Sequence, residues 1–194
     1  MNVEKIPFNP KISAAIRERN LFALQEILAS QPEQIRVFTP FAGGTWLHYA
    51  AREGDVEAVR LLLSVGLNVN VVDAREGRAA ICDAALGGHQ AVAKLLLDSG
   101  AILDTSEPVR NPLFSAIVGK SLPVAKLLLS SGIDSETRYT GSSMKNMDAL
   151  AFALERGESL IAEEIAVWNA KGSKAISAKL LEHGGEVARM NNFK

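Results

Sequence analysis

The stretch Gly44-Thr45-Trp46-Leu47-His48-Tyr49-Ala50-Ala51-Arg52-Glu53-Gly54-Asp55-Val56-Glu57-Ala58-Val59-Arg60-Leu61-Leu62-Leu63-Ser64-Val65-Gly66 decides the fold. The small residues Ala50 and Ala51 on a short first helix let a second helix approach closely. Gly54 breaks the chain between the two helices, and Gly66 ends the second where a left-handed residue is needed. In Val56 to Ser64, Glu57, Arg60 and Ser64 form one polar stripe, while apolar residues cover the rest of the circumference. Such a hairpin needs neighbours on both flanks.

The chain supplies them as copies of the unit. Gly88 follows Gly54 by 34 residues, and Gly100 follows Gly66 by 34. Ile81 to His89 with Val92 to Leu97 restate the pattern, and Leu113 to Ile117 with Val124 to Leu129 restate it again before Gly132. These residues resemble the ankyrin repeat, with its Thr-Pro-Leu-His-x-Ala start, a Gly-His between helices and a Leu-Leu-Leu run closed by Gly. The chain departs from that pattern at Trp46, at Ala79-Ala80-Ile81-Cys82 and at Asn111-Pro112-Leu113-Phe114. The resemblance implies that the repeat histidine, kept at His48, bonds backbone around the inter-repeat turn. Its loss at Cys82 and Phe114 implies weaker ordering of those turns.

The expected fold is therefore all-α, a solenoid of stacked helical hairpins with projecting turns. Residues 1–10, with two prolines, read as an extended arm. Residues 11–194 read as a single repeat domain: a capping repeat at 11–40, clear repeats at 41–73, 74–104 and 105–134, and a degenerate repeat with a C-terminal cap at 135–194. The segment from Ser135 to Asn146 is longer than the other turns and reads as an enlarged finger. Two readings stay open beyond it. Leu160 to Trp168 is either the second helix of the degenerate repeat or the first helix of a further one.

With 47% hydrophobic and 22% charged residues, the chain can bury a core without disulfide or metal. Lys and Arg number 21 against 22 Asp and Glu, and no basic stripe stands out, which argues against nucleic acid and anionic membrane as partners. The single Cys82 cannot form an internal disulfide. The start lacks a signal-peptide core, and no segment reaches about 18 continuous apolar residues. A cytoplasmic protein, monomeric when free, is the expectation.

The residue types that could carry chemistry are few. Cys82 with His48 or His89 could form a nucleophile and base, yet a lone cysteine among apolar residues reads first as a small buried hydrophobe. The three histidines show no ligand spacing, so no metal site or cofactor is expected. Gly87-Gly88 lies between helices and does not resemble a phosphate-binding loop. Glu163-Glu164 face different directions on one helix, which fits a solvated face and not acid–base catalysis.

What remains is a binding surface for another protein, without enzymatic activity. The resemblance implies that a partner meets the turn tips and the exposed side of the first helices, the concave face. On this sequence those positions are Phe41, Trp46, Arg52 and Glu53; Arg75, Glu76, Arg78 and Leu86; Arg110 and Val118; Arg138, Tyr139, Glu155 and Arg156. A short array of this kind looks like the stand-alone ankyrin proteins of bacteria, some of which are inhibitors or immunity proteins. A scaffold subunit is the alternative.

Overall fold

A computed structural model of the chain describes residues 7–40, 43–141 and 144–192. Eleven α-helices lie among them, in two compact units, Met1–Ile102 and Leu103–Lys194.

In the first unit three hairpins stack. They are α1 (Pro10–Arg17) with α2 (Leu21–Ser30), α3 (Trp46–Glu53) with α4 (Val56–Ser64), and α5 (Ala80–Leu86) with α6 (Gln90–Asp98). First helices pack on first helices, α1 on α3 and α3 on α5, and second helices on second helices, α2 on α4 and α4 on α6. Local sequence fixes the starts of the second helices α2 and α4. Asn20 and Asp55 accept hydrogen bonds from the amides of Ala23 and Ala58, at 3.0 and 3.1 Å, satisfying N–H groups that have no partner within the helix. Ala50, Ala51, Ala84 and Ala85 are fully buried, as close helix approach requires. Of the two leucine triplets, only the middle members, Leu62 and Leu96, are fully buried; their neighbours are half-exposed. The arm residue Phe8 stacks on Trp46 with ring centroids 5.2 Å apart, and Gln34, in the 3-10 turn Pro32–Arg36, donates to the Pro7 carbonyl at 2.9 Å.

The second unit holds α7 (Pro112–Val118) with α8 (Leu122–Ser130), α9 (Ala149–Glu155) with α10 (Ser159–Asn169), and the 19-residue α11 (Lys174–Asn192). Helix α7 packs on α9 and α8 on α10, while α11 packs on both α9 and α10. Helix α10 follows α9 across the left-handed Gly157 and packs on it, as the reading in which it is the second helix of the degenerate repeat expects.

Isolated antiparallel bridges pinch the turns at Phe38 and Thr45, Val72 and Ala79, and Tyr139 and Met147. The turn-to-helix step recurs with one backbone geometry. Gly54, Gly88, Lys120 and Gly157, each between the two helices of a hairpin, have φ of 69°, 71°, 54° and 75°. Arg19, between α1 and α2, has φ of 53°, so this left-handed residue sets a common register for all five hairpins.

Candidate protein-interaction face

His48 is buried, and both its ring nitrogens serve backbone. The Thr45 amide, which can only donate, reaches Nδ1 at 3.1 Å, so the proton sits on Nε2, which donates to the Arg78 carbonyl at 2.9 Å. One side chain thus caps its own helix and ties down the next turn. Since neither nitrogen is left to take a proton from a thiol, His48 cannot act as the base for Cys82, which is itself buried. Nε2 of His89 donates to the carbonyl of Arg52 at 2.9 Å, joining α3 to the next hairpin. Among the described residues no group of three or more His, Cys, Asp or Glu could hold a metal ion. None of the described helices is long and apolar enough to cross a membrane.

The turn Val71–Arg78 is organised by the buried Asp73. Its carboxylate accepts from the amides of Arg75 and Glu76 at 2.9 and 2.7 Å and from Arg78 Nε at 3.3 Å. Burial pushes the Asp73 carboxyl up, but the two amides and the Arg78 guanidinium outweigh that and hold it below its ordinary value. Arg78 also meets Glu76 at 3.1 Å.

On the first-helix side of the same unit, Arg52 of α3 reaches Asp83 of α5. Nη2 and Nε lie 2.6 and 3.2 Å from Oδ1, with the aspartate side chain 1% and the arginine side chain 36% exposed. Nearby Tyr49 is buried, which raises its phenol, as does Glu53, against the opposing charges of Arg17 and Arg52. Arg17, Tyr49, Arg52, Glu53 and Asp83 therefore form one charged neighbourhood. Leu86 holds the position in α5 that Arg52 holds in α3, and it is 37% exposed. Arg75 and Glu76 are exposed at the turn tip, and Glu53 is half-buried. By contrast, charges on the second helices pair within their own helix, Arg60 with Glu57 at 3.8 Å and Lys94 with Asp98 at 3.0 Å.

In the second unit Phe114 stacks on Phe152 at 4.5 Å, and the exposed Arg156 lies over the Phe152 ring at 5.7 Å. Val118 is 39% exposed, Glu155 and Arg110 are half-buried, and Arg110 lies 3.8 Å from Glu107. The exposed Arg138 lies 3.6 Å from Asp148.

Three expectations change on this geometry. Trp46 belongs to the core: it is fully buried, donates Nε1–H to the Gln34 carbonyl at 2.9 Å and meets Tyr49 edge-on, so it presents nothing to a partner. Tyr139 is also buried; its hydroxyl donates to the Thr105 carbonyl at 2.8 Å and accepts from Asn111 Nδ2 at 3.0 Å. That arrangement corrects the expected weakness at Phe114. Without an imidazole there, Tyr139 sets its ring edge against Phe114 at 5.1 Å and its hydroxyl holds the 105–111 segment. Phe41 lies outside the described residues.

Sequence reading missed Asp83, Arg17 and Phe152. Asp83 had a visible signal, a lone carboxylate on a helix otherwise made of apolar residues. Phe152 had none, because its value comes from stacking on a residue of another hairpin.

Comparison with known proteins agrees with this architecture. A family profile described as "Ankyrin repeats (3 copies)" matches residues 12–107 and 47–139. The ankyrin repeat-containing protein YIL001W of Saccharomyces cerevisiae is 35% identical over 91 residues, 40% of this chain and 18% of the relative. The putative ankyrin repeat protein YahD of Escherichia coli is 29% identical over 119 residues, 60% of this chain and 56% of the relative. The human Notch-regulated ankyrin repeat-containing protein is 33% identical over 86 residues, 43% of this chain and 74% of the relative. The matched region thus spans less than two thirds of the yeast and Escherichia coli relatives. The chain belongs to the ankyrin-repeat family, whose repeats are in general non-enzymatic protein-interaction modules.

Proposed function

We propose that this chain binds another protein through the exposed side of its first helices and its turn tips, and acts by occupying that protein's surface as a stoichiometric inhibitor of the immunity-protein kind. The observation that carries the reading is the unlike use of charge on the two sides of the first unit. Second-helix charges are spent on neighbours in the same helix, whereas Arg52 is ordered by a buried carboxylate and stands half-exposed in the same helix position as the exposed Leu86 one repeat on. An ordered guanidinium with apolar surface along the same row is the composition of binding hot spots, since little side-chain entropy is left to lose. In the second unit, Arg156 over Phe152 with the exposed Val118 offers the same chemistry.

A scaffold subunit is the second reading, favoured by the exposed Leu160, Val167 and Trp168 on a second helix, which give the chain another surface to bind with. The test is affinity purification from the source cells followed by hydrogen exchange of the chain with the co-purified protein. Protection concentrated on α3, α5 and the 71–78 turn supports the proposal; protection confined to α4 and α6 overturns it. Loss of the partner's activity on binding supports inhibition, and retained activity supports the scaffold.

A further inference from the structure

The left-handed residue between the helices of each hairpin lets the second helices be compared position by position. Six residues after it stand the neutral Gln25 in α2 and the cations Arg60, Lys94 and Lys126 in α4, α6 and α8, but Glu163 in α10. Ten residues after it stand Ser64, Asp98 and Ser130, but Val167; eleven after it stand Val65, Ser99 and Ser131, but Trp168. Helix α10 therefore inverts the charge of the stripe and places both a valine and a tryptophan at an end where α6 and α8 are polar and α4 has serine followed by valine. Leu160, two turns before Val167, completes an apolar–acidic–apolar row.

That row is open to solvent although α10 packs on α8, α9 and α11. Leu160, Val167 and Trp168 are 65%, 49% and 45% exposed, and a hollow of ≈ 460 Å³ is lined by Glu164, Val167, Trp168, Lys171 and Gly172. The other acids of the helix entry and face are engaged, Glu158 by Lys120 at 3.3 Å and Glu164 by Lys126 at 3.1 Å. Among the described residues no cation pairs with the exposed Glu163. Isolated exposed apolar residues need no explanation, but three on one helix row around an unpaired carboxylate mark an interaction site.

We propose that the outer face of α10 docks a helix of a partner protein that presents two apolar side chains two turns apart with Lys or Arg between them. The spacing suits a helix laid along α10, whose ridge of residues three, four and seven apart fills the groove of another. The charge selects which helix: a basic centre meets Glu163, while an acidic one is repelled. The same carboxylate argues against a second copy of this chain, because a two-fold axis through the row sets Glu163 near its own mate. The row consists of second-helix residues alone, so the proposal does not rest on the first-helix reading.

The test uses the 194-residue chain and two labelled alanine-based helical peptides, each with leucines seven residues apart. One carries lysines between them, and the other glutamates. Fluorescence anisotropy gives the affinities, and iodide quenching of the exposed Trp168 reports contact at the site. The lysine peptide is expected to bind at least about tenfold more tightly and to shield Trp168. Glu163→Lys is expected to reverse the preference, and Trp168→Ser to abolish binding while the helical circular dichroism is unchanged. Leu86→Asp, on the first-helix side, should leave peptide binding as it was. Affinities within about threefold of each other, or no binding of either peptide, overturn the proposal. So does a dimer by sedimentation that Trp168→Ser dissociates.

Discussion

Nη2 of Arg52 lies 2.6 Å from Oδ1 of Asp83, and only the arginine reaches solvent. The pair joins α3 to α5 and holds a guanidinium in place on the side of the unit proposed to meet a partner. Removing the arginine takes from the buried carboxylate its hydrogen-bonded cation and leaves only the charge of Arg78 to oppose it, so Arg52→Ala is expected to cost about 2–3 kcal/mol in urea unfolding. Lys94→Ala, which breaks an exposed pair within one helix, should cost no more than about 0.5 kcal/mol. Equal costs would mean that the Arg52 pair is as dispensable as the surface one.

Gly54 combines a φ of 69° with a site where an added Cβ would strike the His89 ring. Gly66, with φ of 99°, has open space around the same atom. Gly54→Ala therefore carries steric cost beyond backbone strain, and it should destabilise by at least about 1 kcal/mol more than Gly66→Ala. Combining Gly54→Ala with His89→Ala should cost less than the sum of the two, because the clash is relieved. Strict additivity would contradict the close packing of glycine and imidazole.

Tyr139→Phe keeps the ring against Phe114 and deletes only the hydroxyl. The Thr105 carbonyl and the Asn111 amide then lose their shared partner, at an expected cost of about 1–3 kcal/mol by denaturant unfolding, with slower amide exchange lost across residues 105–111. An unchanged stability would show that these groups have equivalent partners elsewhere.

Much of the fold could be read from the chain because the repeat spaces its glycines and alanines regularly, and these residues act locally. Gly54 and Gly88 state a left-handed turn whatever surrounds them. The face was harder to read. Trp46 and Tyr139 look like binding aromatics in sequence, and only the packing of Phe8 on Trp46 and of Tyr139 on Phe114 shows that they are core. Asp83 was hidden for the opposite reason: its partner lies 31 residues away, where no periodicity links a carboxylate to a guanidinium.

Acid should loosen the 71–78 turn in a defined direction. The folded-state carboxyl of Asp73 lies below its ordinary value, so its contribution is fully present above about pH 4 and is lost as pH falls through the folded value. Asp73→Asn should therefore lower the melting temperature at pH 7 and reduce the further fall on acidification. A variant with the wild-type pH profile would remove Asp73 from that role.

The central claim is that the partner meets the first-helix side of the chain. Its most direct measurement is the calorimetric affinity of the co-purified partner for Leu86→Asp and for the double reversal Arg60→Glu, Lys94→Glu. Leu86→Asp is expected to weaken binding by about 2 kcal/mol, roughly thirtyfold, with the fold intact, while the double reversal changes affinity by no more than about threefold. Loss of binding in the double reversal with Leu86→Asp unaffected would place the partner on the second helices and contradict the account.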